Sequence, residues 1–503
     1  MATLAPIPFG PGSIGWAPYA VANAFQFPVQ SGYNGAGFTV AIVGDYPPSA
    51  TDLSAYLTQF GIQTTGTYQV ENVDGGSQLN DQEGLLEATL DVETVLGLAP
   101  GANVIFYSMP DASGISFLDA ISQIVSDKKA NVASASYGGC EDSSDVTVME
   151  PLFAQAMNEQ MAWVASSGDQ GDRCTSSSPT GVVYPASDPN VIGVGGTQTS
   201  SKITSTKAWN DAVGASGGGI SALFSLPQYQ NGLSGEASTS FRNVPDVAMP
   251  AVFDEIYFQG QWSDVDGTSW GAPQVAALIA EIDEYCNSAL PDPVDIFYYA
   301  LAGKGYADFS DVITGNNQYD GDLTFYSAQS GFDNVSGIGI PLGMPVAQTV
   351  CPNRIPALAP FRRALAFAAP ANAASVRGVP NVAGLRDRGK RASAAATRVA
   401  IVLKPASNLA QNEQEVIASL RSSGFTVTHA SRNHLVIDAE APAAAVARYF
   451  GTQFHDFDQH SYGVRYANVT PIGLPPAIAP YVQGVLADDL VLDASRPHRV
   501  RGF

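Results

Sequence analysis

The chain has 503 residues, 24 Lys+Arg against 47 Asp+Glu, a formal net charge of −23 and a sequence pI near 4.4. That length predicts two to four domains with self-supporting cores, and an apolar share of 45% with 10% aromatics excludes wholesale disorder. The acidic balance argues against nucleic acid or an anionic membrane as partner, and no apolar run reaches the ~18–20 residues of a membrane span.

The charge is unevenly spread. Residues 1–352 hold 7 Lys+Arg and 37 Asp+Glu, whereas residues 353–503 hold 17 and 10. The four cysteines (Cys140, Cys174, Cys286, Cys351) lie in the first part, and the five histidines (His429, His434, His455, His460, His498) in the second. An acidic body without histidine is therefore followed by a basic appendage. The start, 1-MATLAPIPFGPGSIGW-16, lacks the basic residues and apolar stretch of a secretory signal.

In chain order, the body alternates two patterns. Short β-branched or apolar runs at 38–44, 103–109, 132–138, 162–168 and 191–197 predict buried strands. Helical periodicity between them covers 51–61, 83–98, 114–129 and 147–160. Strands separated by helices imply βαβ units and a mostly parallel sheet covered on both faces. Further helices are expected at 269–286 and 294–303, then a Gly/Asp/Asn-rich segment at 308–343. Residues 353–396, rich in Pro, Ala and Arg, suit an exposed, protease-accessible linker. The appendage predicts strand 397–405, helix 410–424, strands 425–430 and 433–440, helix 441–451 and strand 462–471. That β-α-β-β-α-β order fits a small ferredoxin-like α+β domain.

Chemistry concentrates at 266-DGTSWGAPQVAALIAEI-282. Ser269 lies between a Gly-rich turn and a helix, where unpaired N–H groups and the helix dipole stabilise negative charge. A helix N-cap is the plain alternative. The string Gly267–Gly271 also satisfies the G-x-S-x-G elbow of α/β-hydrolases, which gives an esterase as runner-up. That elbow needs a firm preceding strand, which 256-IYFQGQWSDVDG-267 makes poorly, and a later histidine, the first being His429. With no histidine in the body, a carboxylate must serve as base if the body is self-sufficient. Glu87 and Asp91 stand at i, i+4 on one helical face, although a solvated acidic face is the simpler explanation of the pair alone.

Taken together, 267-GTSWGAP-273, 87-EATLDVETVLGLAPGA-102, 166-SSGDQG-171, 183-VYPASDPNVIGVGGT-197, 217-GGGISALFSLPQYQ-230 and 242-RNVPDVAMPA-251 resemble the sedolisins, serine-carboxyl peptidases of subtilisin-like fold, and their kumamolisin-like members. The resemblance covers about residues 18–350 and implies a Ser269 nucleophile, a Glu87 general base, Asp91 as its partner and Asp169 as oxyanion donor. Such chemistry suits acid, because a glutamate (~4.3) stays ionised where a histidine (~6.5) is already protonated. It further implies one Ca²⁺ held by the Asp311 and Asp333 carboxylates and the backbone carbonyls of Val312, Gln329 and Gly331. Gln329 stands where that family usually has glycine. Asp266 likewise replaces a common glycine, and Trp270 is bulky beside the nucleophile.

Cys140 and Cys174 each follow a predicted strand, so a bridge between them would leave Cys286 with Cys351; buried thiols are the alternative. Residues 397–495 resemble the sedolisin activation propeptide, which in that family precedes the catalytic domain. The expected organisation is thus a peptidase body (1–352), a linker (353–396) and a propeptide-like domain (397–503) acting as intramolecular inhibitor. Acidification should weaken the attraction of the basic appendage for the acidic body and favour self-cleavage in the linker. The expected protein is a monomeric acid endopeptidase acting on polypeptides, secreted or held in an acidic extracytoplasmic compartment. A non-catalytic peptide-binding homologue is the other reading.

Overall fold

The computed structural model describes residues 15–77, 82–175, 180–199, 205–290, 294–321, 323–355, 378–459 and 462–492, together with the backbone of 498–502. The body is built on seven parallel strands: β1 (Thr39–Gly44), β2 (Tyr68–Asn72), β3 (Asn103–Ser108), β4 (Val132–Ala135), β5 (Ala162–Ser166), β6 (Ile192–Thr199) and β7 (Val247–Pro250). Their order is β7-β6-β5-β4-β1-β3-β2, with a short antiparallel strand, Thr206–Ala208, on β6. The sheet is covered by helices α1 (Ala50–Gln59), α2 (Gln82–Leu98), α3 (Gly114–Asp127), α4 (Ser143–Asn158) and α5 (Thr268–Cys286).

Alternation along the strands separates two cores. Val40, Ile42, Val104, Phe106, Val164 and Val194 face one core with α2 and α5, while Ala41, Val43, Ile105, Tyr107, Trp163 and Ala165 face the other with α3 and α4. Both faces are therefore buried, which is why these strands read as unbroken apolar runs rather than polar–apolar alternation. β2 and β7 escaped the sequence reading. YQVEN is a half-exposed edge strand, and VAMP is too short to stand out.

Residues 254–266 form a hairpin, β8 (Asp254–Phe258) and β9 (Gln261–Asp266), outside the main sheet. A regular strand thus does precede Ser269, contrary to the expectation of a poor one. It belongs to an antiparallel hairpin and not to the central sheet from which an α/β-hydrolase elbow springs. Both disulfides form as paired above, Cys140–Cys174 and Cys286–Cys351.

The appendage comprises β10 (Arg386–Lys390), β11 (Ala396–Leu403), α6 (Leu409–Ser422), β12 (Thr426–Ala430), β13 (Val436–Pro442), α7 (Ala443–Phe450), β14 (Phe454–Asp458), β15 (Val464–Asn468) and β16 (Val482–Leu486). Its main sheet runs β12-β13-β11-β16, all antiparallel, which is the ferredoxin-like order. Two boundaries move. The strand expected at 462–471 is β15, which pairs with β14 in a side sheet, and β16 takes the fourth place. Residues 386–390, placed in the linker from their composition, are β10 of that side sheet, so the domain starts near Arg386. Finally β17 (His498–Gly502) returns to the body and pairs antiparallel with β9.

The main sheet of the appendage is itself sandwiched. Val399, Ile401 and Leu403 pack with α6 and α7, while Ala400, Val402, Val436 and Leu486 join the body core beneath α3 and α4. The docked face is thus continuous with the hydrophobic interior of the body. Among the described residues, no helix is long and apolar enough to cross a membrane.

Candidate active site

Parallel α/β sheets open their clefts at the carboxyl ends of the strands. Asp45, Ser136 and Asp169 lie just beyond β1, β4 and β5, and each is buried. The N-terminal part of α2 packs onto Asp45: a Cβ on Gly84 would sit 1.9 Å from its Oδ1, so only glycine permits that approach. This contact sets the helix that carries Glu87 and Asp91. Across from it, the first turn of α5 presents Ser269.

The four residues named from the sequence converge. Ser269 Oγ donates to Glu87 Oε2 at 3.1 Å. Asp91, one helical turn on, accepts from Ser136 Oγ at 2.8 Å. Burial pushes the Asp91 carboxyl well above the usual carboxylate range, against the opposing pull of the Ser136 hydrogen bond. Asp169 Oδ1 accepts from Thr268 N and Thr268 Oγ1, both at 2.7 Å, while Gly168 N donates to Thr268 Oγ1 at 3.1 Å. The 167–169 loop is braced from behind by Gly217, whose amide donates to Gly168 O at 2.7 Å. A Cβ on Gly217 would lie 2.0 Å from Ser167 O.

Ser136 was missed by the sequence reading, and the signal for it was Pro273. Proline at this position of α5 cannot donate to the carbonyl four residues earlier, which is that of Ser269. Ser136 Oγ comes within 3.2 Å of that carbonyl, so one hydroxyl serves both Ser269 O and Asp91. Trp270 is buried in the body core beneath the nucleophile, which accounts for its size. Asp266 is buried as well; its carboxyl is pushed up to about 7 by burial, with Asp211, Asp264 and Asp169 adding to the rise.

Glu87, Asp91, Asp169 and Ser269 are all at most 1% exposed. Histidine does not supply the base among the described side chains. His429 pairs with Asp74 (3.2 Å), His434 with Glu413 (3.0 Å) and His455 with Asp387 (2.8 Å).

The expected cation ligands also gather. Gly331 N donates to Asp311 Oδ2 and Gln329 N to Asp333 Oδ2, each at 3.0 Å, which brings both carboxylates to the 329–331 backbone. Asp311 Oδ1 is buried without a hydrogen-bond partner, and Val312 is buried beside it. A buried carboxylate oxygen without a hydrogen-bond partner, with a second carboxylate on the same loop, suits a hard cation. Gln329 fits by turning its side chain outward to Gly235 O at 2.9 Å, leaving its backbone in the loop. Another carboxylate trio, Asp74, Asp119 and Asp438, has metal-like spacing, but the Arg398 guanidinium lies among all three.

Comparison with known proteins agrees with this architecture. A family model described as the subtilase family matches residues 65–296, and one described as the pro-kumamolisin activation domain matches residues 386–489. Kumamolisin of Bacillus sp. (strain MN-32) is 33% identical over 367 residues, covering 67% of this chain and 64% of its own length. Sedolisin of Pseudomonas sp. (strain 101) is 31% identical over 351 residues, covering 63% and 59%. The chain therefore spans somewhat less than two thirds of the length of these relatives. The solved structure of Pseudomonas sedolisin, a serine-carboxyl proteinase complexed with two molecules of pseudo-iodotyrostatin, matches with a TM-score of 0.58 at 26% identity. The match covers 67% of this chain and 98% of that one. With a subtilisin-like body and an activation-type domain on its C-terminal side, this chain is similar to the sedolisins over 67% of its length.

Proposed function

We propose that the chain is an acid-acting serine-carboxyl endopeptidase held inactive by its own C-terminal domain. The observation that carries this is the Ser269 Oγ–Glu87 Oε2 hydrogen bond at the N-terminus of α5, in a body that has no histidine. Glu87 takes the Ser269 proton as Oγ attacks the scissile carbonyl carbon. The oxyanion so formed is met by Asp169, oriented through Oδ1 by Thr268 and protonated on its other oxygen. Collapse breaks the C–N bond, and Glu87 passes its proton to the departing amine. Water, activated by the same carboxylate, then hydrolyses the acyl-enzyme. Asp91 shares a proton with Glu87 and orients it, since two buried carboxyls one helical turn apart do not both ionise readily.

One Ca²⁺ would be held by Asp311 and Asp333 with the carbonyls of Val312, Gln329 and Gly331, tying the end of the body together. The two disulfides suit an oxidising, extracytoplasmic setting. The enzyme is read as a monomer whose substrates are polypeptides and whose activation is a cut in the tether between body and appendage.

The deciding experiment is a pH–rate profile on a denatured protein substrate, with mass spectrometry of the chain's own fragments. A bell with its maximum below pH 7 is expected. Ser269→Ala and Glu87→Ala should each lose on the order of 10³-fold or more in kcat while keeping the fold. A maximum above pH 7, or full activity in Glu87→Ala, would overturn the assignment.

A further inference from the structure

The hairpin that feeds Ser269 carries an unusual load of buried acid. Asp254 and Glu255 on β8, and Asp264 and Asp266 on β9, are each at most 3% exposed. Two more carboxylates reach it from outside. Glu93 Oε2 accepts from Tyr257 N at 2.9 Å, and Asp52 accepts from Gln259 N and Gly260 N at 2.8 and 3.2 Å. Neither hairpin strand contains a Lys or Arg. Burial pushes the Asp254 carboxyl well up, and Glu255, Asp264 and Asp266 push it further. Opposite charges across paired strands are favourable and like charges are not, so such a hairpin favours a basic neighbouring strand.

The C-terminal strand β17 is basic in sequence, and its backbone pairs with β9. It reads HRVRG, and its pairing sets Arg501 opposite Asp264, His498 opposite Asp266 and Arg499 opposite Val265. The chain just before it is also fixed to the body: Leu492 N donates to Ala112 O (2.9 Å) and Gly114 N donates to Leu490 O (3.2 Å). Within the appendage, Gln459 holds Val491 through both its amide groups at 2.8 Å.

We propose that the outer edge of β9 is a docking edge for an extended, arginine-bearing peptide, occupied in cis by the chain's own residues 498–502. Strand addition supplies backbone hydrogen bonds, and the acidic hairpin selects a basic occupant. Asp266 accepts from Phe253 N at 2.6 Å, and Gly267 N donates to Ala251 O at 2.8 Å, so the occupied strand runs straight into the turn that presents Ser269. Occupancy therefore holds the nucleophile turn closed, and loss of the tail frees it. This consequence for turnover rests on the peptidase reading of Ser269; the docking does not.

The test uses a fluorescently labelled HRVRGF peptide and a chain ending at Leu492. Saturable binding is expected to the shortened chain, at least tenfold weaker to the full chain, whose edge is already filled, and at least tenfold weaker for HEVEGF. Equal binding to both chains, equal binding of HEVEGF, or no binding would each overturn the proposal. A second measurement needs no truncation. In the full chain, Arg499→Glu with Arg501→Glu should speed hydrogen exchange of the 261–266 amides at least tenfold while leaving 400–403 unchanged, and unchanged exchange at 261–266 overturns it. Peptide that binds the shortened chain and suppresses its turnover supports both readings. Binding to a chain that cleaves nothing counts against the peptidase alone.

Discussion

At the scale of single residues, Ser136 is the most revealing side chain, because one hydroxyl serves two partners. It donates to Asp91 Oδ1 at 2.8 Å and lies 3.2 Å from the Ser269 carbonyl that Pro273 leaves without its helical donor. The hydrogen bond favours the ionised form of Asp91, so removing it should raise the carboxyl still further above its usual range. Ser136→Ala is therefore expected to cut kcat by roughly tenfold, about 1.4 kcal/mol of transition-state stabilisation. If loss of the shared Glu87–Asp91 proton sets the alkaline limb of the pH–rate profile, that limb should move upward in the variant. A downward shift in the measured profile would mean that Asp91 is not the group holding that proton. Gly217 offers a complementary case. An alanine Cβ would lie 2.0 Å from Ser167 O, so Gly217→Ala must displace the loop that carries Asp169. Loss of turnover with near-native circular dichroism is expected.

At the scale of elements, a buried ion pair fixes the loops around β6 and β7. Arg242 is 0% exposed and reaches Asp246 through both guanidinium ends at 2.9 and 2.7 Å, with further donation to Ser187 O (2.9 Å), Ala186 O (3.2 Å) and Val191 O (3.1 Å). Asp246 Oδ2 in turn accepts from Gly193 N at 2.7 Å, at the start of β6. Arg242→Ala strands a buried carboxylate and should cost about 3–5 kcal/mol, read as a fall in the urea midpoint. Arg242 lay in plain view in 242-RNVPDVAMPA-251, but nothing in its spacing revealed burial. The core strands and all the long helices were legible because their apolar runs and periodicities are local. β2 and β7 were not, since a half-exposed edge and a four-residue strand acquire their identity only from neighbours. The same holds at the site. Ser269, Glu87, Asp91 and Asp169 sit in dense motifs, whereas Ser136 and the acidic hairpin become functional candidates only when distant segments meet. Strand β11 shows the intermediate case: its unbroken VAIVL read correctly as a strand, but burial of its second face against another domain could not be read from it.

At the scale of the whole molecule, the two domains meet through apolar surface and through buried carboxylates, and the latter decide the response to pH. Arg398 Nη2 donates to Asp74 (3.1 Å), Asp438 (3.2 Å) and Asp119, while Asp142 and Asp145 on the body face Asp488 on the appendage. Burial raises Asp119, Asp438, Asp142 and Asp145, and lifts Asp488 to about 8. Carboxyls raised by docking bind protons in the docked form, so their contribution is present below the raised values and lost as pH rises through them. Docking should accordingly tighten as pH falls from about 8 toward 6. Net charge suggests the reverse, but attraction between an acidic body and a basic appendage is screened beyond about 8 Å in physiological salt, whereas the buried cluster is not. Asp111 opposes the trend: burial alone would raise it, but hydrogen bonds from Ser113 and Ser116 and the charge of Arg465 hold it low, so its contribution disappears only in strong acid. In mild acid the appendage should therefore stay docked after the tether is cut. Arg398→Ala sharpens the test, because it leaves Asp74, Asp119 and Asp438 without their shared cation. The variant should weaken docking by about 3 kcal/mol at pH 8 and by less at pH 5, because the raised carboxyls of Asp119 and Asp438 take up protons as pH falls and lose their demand for the cation. Size-exclusion chromatography of a chain nicked within 356–385 measures both, as the fraction of appendage eluting with the body at each pH. A wild-type complex that loosens steadily from pH 8 to 5, or an Arg398→Ala penalty that does not shrink in acid, would return the control of activation to net charge.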